Sequence, residues 1–195
     1  MNYYLYPLRF LTPVHFGDTS EGGSLETISL TLGSDALFGA CCHEISHDKS
    51  LLQSFIDSVK EQHMVLSSLF PYCIDNGDYQ LYIPSPIMQI DSKGIPITSF
   101  EETKRVATEQ KKIKKIEYIR TSQLQNYKQY IQSDVSQKHM PIFGAKQAST
   151  HVNLRGDKSR PYYVGNYQFM SHTGLYIIAG FSDDSSRDLF NFLLF

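Results

Sequence analysis

Residues 43–47, His-Glu-Ile-Ser-His, spell the H-E-x-x-H pattern of zinc hydrolases. The pattern has a mechanical basis. Two histidines four apart share one helix face and can hold a metal, while the glutamate between them polarises the metal-bound water. With 7 His among 195 residues and Glu equally sparse, however, the pattern arises by chance about once in a hundred sequences of this composition. The flanks add nothing to it. His47 is followed by Asp48, Lys49 and Ser50, which read as a helix end, and no H-E-x-x-H-x-x-G-x-x-H extension supplies a third ligand. Downstream candidates such as Glu61 and His63 belong to no motif, and the ordinary reading is a polar helix rim.

A second near match lies upstream. Gly17-Asp-Thr-Ser-Glu-Gly22-Gly23-Ser24 has the spacing of a phosphate-binding loop, but Gly23 stands where the lysine belongs, and Asp18 and Glu21 would repel a triphosphate. A loop that lets backbone approach RNA fits these residues better. His15, between a strand end and this loop, has the residue type of a general base near neutral pH. No second acid or nucleophile accompanies it, so ligand contact and packing stay open beside catalysis.

The clearest clustering is of cations. From Lys104 to Arg120 the chain carries Lys104, Arg105, Lys111, Lys112, Lys114, Lys115 and Arg120 against Glu109 and Glu117, a local net charge of +5. Tyr118 sits within this run. Farther on, His151, Asn153, Arg155, Lys158, Arg160, Tyr162 and Tyr163 again mix cations with flat rings. Single-stranded RNA is held by that combination, bases stacking on aromatics while Lys and Arg follow the phosphates. An ordinary solvated face is the alternative reading of each cluster.

These residues need elements to position them. "YYLYPLRFL" reads as a buried strand running to Pro13, and the glycine loop and the apolar "LETISLTL" follow. "GSDALFGACCHEIS" reads as a helix capped by Ser34 or Asp35, with Leu37, Phe38, Cys41 and Ile45 on its apolar face. A second helix is expected from Ser50, as its cap, to about Glu61, burying Leu52, Phe55, Ile56 and Val59. "LFPYC", "YQLYIPSPIMQI" and "IPITSF" read as strands, with a hairpin turn at the Asp-Ser-Lys-Gly between the last two. Residues 101–115 are polar nearly all round and read as an excursion from the core. Residues 121–150 read as loops around one short helix, "LYIIAGF" as a strand, and a last helix begins at Ser185 or Ser186. That helix carries Leu189, Phe190, Phe192, Leu193 and Leu194 to an uncapped end, the pattern of a fragment.

The whole chain sets bounds. At 195 residues, 41% hydrophobic and 13% aromatic, it can bury a core in one domain or two small ones. There is no run of eighteen apolar residues and no basic-then-apolar leader, so the expectation is a cytoplasmic protein without a membrane partner. Three cysteines at these spacings form neither a disulfide framework nor a metal site and read as reduced. A formal charge of -2 does not by itself point to nucleic acid.

Taken in order, "LRFLTPVHFGDTSEGGSLE", "SDALFGACCHEI", "LSSLFPY", "YIPSP" and "KKIKKIEYI" resemble the Csm-type RAMP subunit four of type III-A CRISPR effector complexes, from residue 8 to about residue 181. The resemblance implies an α+β chain of tandem ferredoxin-like (RRM-like, RAMP) folds with antiparallel sheets, the second half incomplete. It implies an N-terminal domain over 1–100, a lysine-rich insertion or thumb with loops over 101–150, and a partial second half over 151–195. It also implies a non-catalytic subunit that holds the 5′ handle of the guide crRNA and bridges the large polymerase-like Csm subunit to the Csm backbone RAMP subunit in antiviral defence. The RNA-binding positions it points to are His15, Gly17, Gly22, Gly23 and Ser34, the run Lys111, Lys112, Lys114, Lys115, Tyr118 and Arg120, and Arg155 and Arg160. No catalytic residue, metal or cofactor is carried over. The family continues past the last helix into a glycine-rich guide-binding segment that this chain does not contain. A metal-independent RAMP endoribonuclease processing precursor crRNA, with His15 or His151 as general base, is the alternative.

Overall fold

"LYIIAGF" is apolar on both faces, the pattern of a strand covered on both sides. It lies in β8 (Thr173–Phe181), where every residue except Ile178 is buried. The structure is a computed structural model that describes residues 1–17, 24–87, 99–113, 115–127, 141–155 and 158–194. In chain order the other elements are β1 (Asn2–Leu8), α1 (Ser34–Glu44), α2 (Lys49–Lys60), β2 (Met64–Leu66), β3 (Phe70–Asp75), β4 (Asp78–Pro84), α3 (Phe100–Ile113), β5 (Tyr118–Arg120), β6 (Gly144–Arg155), β7 (Lys158–Phe169) and α4 (Asp184–Leu194). The described strand pairs are antiparallel and helices accompany them, so the chain is mixed α/β with antiparallel sheets. No helix among the described residues is long and apolar enough to cross a membrane.

The chain divides into two units, Met1–Tyr72 with Phe143–Phe195, and Cys73–Ile142. In the first unit β1 pairs with β8 from Asn2↔Phe181 to Leu8↔Leu175, and β2 pairs with β8 from Met64↔Phe181 to Leu66↔Ala179. Both strands meet the same β8 residues, so they flank it on opposite sides. The expectation that the first strand is buried is corrected here. β1 is an edge strand with Tyr3 67% and Leu5 42% exposed, because only its Tyr4, Tyr6 and Leu8 face turns to the core. It also ends at Leu8 rather than running to Pro13.

The apolar stripes of the helices meet over this sheet. On α1, Leu37 and Cys41 are buried with Ile45 just beyond the helix end, and Phe38 stacks on Phe55 of α2 with ring centroids 5.3 Å apart. Phe55, Met64, Leu175, Ile177, Ala179 and Phe190 form the centre of the cluster. The caps differ from expectation. Gly33, not Ser34 or Asp35, occupies the N-cap of α1, and Asp48, not Ser50, caps α2. Asp48 Oδ1 accepts from the Ser50 and Leu51 N–H groups at 2.9 and 3.0 Å, and these bonds, led by that from Leu51, hold its carboxyl below the usual carboxylate range. Ser50 spends its hydroxyl on the same carboxylate, 2.8 Å away.

In the second unit β3 and β4 turn about Asn76 and Gly77, whose φ values of 53° and 89° are left-handed. Asn-Gly at both central positions is the preferred two-residue hairpin connection. The Asp-Ser-Lys-Gly hairpin expected after β4 lies outside the described residues, as does most of "IPITSF". β5 continues the unit on β4, with Ile119 opposite Ile83. Ile119 and Tyr127 form a small core of their own, with Ile83 and Ile116 packed against it. The polar 101–115 segment is helical through most of its length, as α3. Gly77→Ala should cost about 1–2 kcal/mol, the strain of a Cβ in the left-handed region, read as a lower urea midpoint. An unchanged midpoint would mean that the turn relaxes to another conformation.

The largest departure from expectation is between 144 and 169. Residues 144–150, expected as loop, begin a strand, and β6 and β7 pair residue for residue from Gly144↔Phe169 to Arg155↔Lys158. This two-stranded ribbon belongs to the first unit, and its base packs into the core through Tyr167 and Phe169. The last helix starts at Asp184, where Asp183 accepts from the Ser186 N–H at 2.8 Å. Its apolar residues do find cover. Phe190 is fully buried, and Leu189, Leu193 and Leu194 pack against the same cluster, while Phe192 stays 68% exposed.

Candidate nucleic-acid interface

The loop after β1 is tied to the ribbon by backbone. Val14 and Tyr167 exchange N–H···O bonds of 3.0 and 2.7 Å, and Gly165 N–H donates to Leu25 at 2.8 Å. Gly165 is glycine for a steric reason, since a Cβ there would run into the carbonyl oxygen of Glu26. His15 sits in this seam, exposed, with Nδ1 2.6 Å from the Gly165 carbonyl oxygen. A carbonyl only accepts, so Nδ1 carries the hydrogen of this bond. Gly17 lies beside the ring, where a Cβ would stand 3.7 Å from Nε2, and bridges to Ile28. Gly22 and Gly23, the other expected glycines, lie outside the described residues.

Next to this seam a cleft of about 320 Å³ is lined by Glu26, Thr27, Ile28, Lys146, Gln147, Ala148 and Gly165. Lys146 Nζ donates to the Ile28 carbonyl at 3.4 Å. The sequence reading did not single out Lys146, a lone lysine in "GAKQAST" with no neighbouring cation to mark it. Ser34 is the half-buried first residue of α1.

The register of the ribbon sorts the second aromatic and basic cluster onto two faces. His151 stands opposite Tyr162 and Asn153 opposite Arg160 on that ladder. The rings of His151 and Tyr162 stack, 5.4 Å apart at 24°. Ser149 Oγ lies 2.9 Å from His151 Nε2 and accepts from Asn166 Nδ2 at 2.9 Å. His151 is thus held by a ring on one side and a hydroxyl at its edge. Tyr163 opposes Thr150 on the other face, away from the group to which the sequence assigned it. The side chains of Arg155 and Lys158 lie outside what the structure describes; Arg160 is exposed.

In the second unit the basic run is split between a helix and a strand. Lys104 and Lys111 are exposed on α3, Lys115 is exposed beyond its end, and Tyr118 and Arg120 share one side of β5. Lys114 and the side chain of Lys112 lie outside the described residues. Arg120 Nε donates to the buried Tyr82 hydroxyl at 3.1 Å, and this bond is the main reason that the guanidinium holds its proton more tightly than usual. Cys73 Sγ lies 3.7 Å from the same hydroxyl, and burial pushes the pKa of Tyr82 up. No sequence signal marks Tyr82, whose role depends on the β4–β5 register.

The H-E-x-x-H residues do not form the helical pair that zinc hydrolysis needs. α1 ends at Glu44, so His43 lies in its last turn while His47 lies in the turn beyond, and both are exposed. Among the described residues no group of three His, Cys, Asp or Glu side chains is arranged to hold a metal ion.

No protein-family model matches the chain, nor does any curated protein. Solved structures do. A chain of the Csm1-Csm4 cassette in complex with cA4 matches with a TM-score of 0.55 and 21% identity, over 98% of this chain and 61% of that one. The cassette in complex with AMPPNP matches with a TM-score of 0.52 and 23% identity, over 97% and 61%. The cassette with pppApA matches at 0.51 and 22%, over 97% and 60%. The chain therefore shares a fold with chains of these cassettes and spans about three fifths of their length.

Proposed function

We propose that the chain is an RNA-binding subunit of a type III-A CRISPR interference complex, without catalytic activity of its own. In this reading it holds the 5′ handle of the guide crRNA and joins the large polymerase-like Csm subunit to the Csm backbone RAMP subunit. The observation that carries the reading is the likeness to Csm1-Csm4 cassette chains along 98% of this chain, at a TM-score of 0.55. The motif order "TPVHFG…GSLE", "SDALFGA", "KKIKKIEYI" points the same way. The tandem ferredoxin-like arrangement belongs to the same proposal.

The surfaces suit a guide strand. In the first unit, His15, Gly17 and Lys146 gather at a seam where exposed backbone and one cation can meet phosphate. On the ribbon, the His151–Tyr162 stack beside Arg160 offers flat rings next to a cation. In the second unit, Lys111, Lys115 and Arg120 provide phosphate partners.

The test is incubation of the purified chain with a repeat-derived RNA carrying the 5′ handle, with and without EDTA. The expected result is retention of intact RNA and preference for the handle over a scrambled sequence. Metal-independent cleavage that disappears in His15→Ala or His151→Ala would replace this reading with a processing endoribonuclease. Equal binding of handle and scramble would remove the handle from it.

Tyr82→Phe gives a narrower prediction. Removing the acceptor of the Arg120 Nε–H frees the guanidinium, so handle affinity should fall about three- to tenfold, the net worth of one ordinary hydrogen bond. Arg120→Ala should cost at least as much, and the double variant no more than Arg120→Ala alone. Additive losses would mean that Tyr82 acts independently of Arg120.

A further inference from the structure

β1 is the terminal strand of its sheet and, among the described residues, pairs with β8 alone. Alternate residues of an antiparallel edge strand send their N–H and C=O groups away from the pair, so the open side of β1 is a row of unpaired backbone groups. Proteins usually blunt such an edge with charged side chains, bulges or proline. "NYYLYPL" contains no charged residue and a single proline, and it pairs with β8 over all 7 residues in unbroken register. The solvent side of the strand is also apolar, with Tyr3 67% and Leu5 42% exposed beside Ile178 at 40%.

The surroundings of the strand's first residues add a charge preference. A cleft of about 170 Å³ is lined by Asn2, Tyr4, Phe181, Ser182, Asp183, Asp184 and Arg187. Arg187 is engaged by Asp184 at 3.1 Å and Asp188 at 3.7 Å, and it lies over the Tyr4 ring. Asp183, Asp184 and Asp188 outnumber Arg187 and the Met1 amine next to Asn2 in the chain, and His63 stands 3.6 Å from Asp183, so the formal charge at this end of the edge is one negative. Unpaired strand groups are satisfied by an extended chain, and a negative end favours a chain with a cation at that point.

We propose that the open edge of β1 accepts an extended segment of a partner protein as an added antiparallel strand, with a lysine or arginine of that segment set against Asp183 and Asp184. Backbone hydrogen bonds hold the segment, and Tyr3 and Leu5 pack on its alternate side chains. The inference stands apart from the RNA reading, because nothing in it involves nucleic acid.

The test uses the full chain and a short acetylated, amidated peptide of alternating threonine and valine ending in lysine. Antiparallel addition brings that lysine to Asn2. At saturating peptide, hydrogen exchange should slow in residues 2–8. Replacing the lysine by glutamate should weaken binding about threefold or more, and a proline at the peptide's centre should abolish the protection. Leu5→Lys, checked for an unchanged unfolding midpoint, should lower the peptide's affinity. The proposal is overturned by an absence of protection, by a proline peptide that protects as well, or by equal binding of the lysine and glutamate peptides. Concentration-dependent self-association that protects 2–8 without peptide would assign the edge to a second copy and overturn it likewise.

Discussion

Phe190→Ala should destabilise the protein by about 3–5 kcal/mol, the usual cost of removing a fully buried phenylalanine ring. The ring is 0% exposed and is where α4, β1 and β8 meet. It stands edge-on to Tyr6 with centroids 5.3 Å apart and lies 5.7 Å from Phe181. Alanine leaves a cavity that three elements would have to collapse together, and α4 loses its one fully buried anchor. Against a typical domain stability of about 5–15 kcal/mol, that is a large fraction. Urea unfolding should show a midpoint shift at constant slope, and Phe192→Ala, on the exposed side of the same helix, should shift it little. A loss under about 1 kcal/mol for Phe190→Ala would mean that α4 is not seated on the sheet as described.

Replacing Lys111, Lys112, Lys114 and Lys115 together by alanine should weaken handle RNA binding on the order of 100-fold near physiological salt. It should also flatten the dependence of log K on log salt by roughly 2–3, the counterion release of about four phosphate contacts on a single strand. Lys111 and Lys115 are exposed, so the protein's unfolding midpoint should hardly move. Binding and slope should fall together. Lower affinity at an unchanged slope would indicate a shape effect of the substitutions, and no change in either would show that these lysines face solvent in the complex.

Much of the first unit was legible because its information is local. α1 and α2 announce themselves by apolar spacing, and Leu37, Cys41 and Phe55 are buried as their positions on those stripes require. β8 follows from an apolar run too short for a helix. The helix starts were less well read. Asp48 reaches the Ser50 and Leu51 N–H groups from outside the helix, whereas Ser50, two residues later, already lies inside it, and Gly33 caps α1 through backbone geometry without a side-chain bond. The Asn76-Gly77 hairpin joins two segments that read as strands, and Asn-Gly is the preferred two-residue turn between strands.

The sequence by itself determined which segments could be helices, which strand could be central, where cations gather and why H-E-x-x-H at the end of α1 is weak. Tertiary structure alone decided that β1 lies at an edge, since the same alternation serves an edge or a flanked strand. It decided that "GAKQASTHVNLR", too polar to look like a core strand, pairs with β7. It decided as well that Tyr162 joins His151 while Tyr163 turns away, because a ladder of period two separates adjacent residues by a full sheet thickness. The His15 seam is of the same kind. It exists because Gly165, 150 positions away, has no Cβ to hold off the chain at Glu26, and a contact across that separation leaves no periodic trace in either segment.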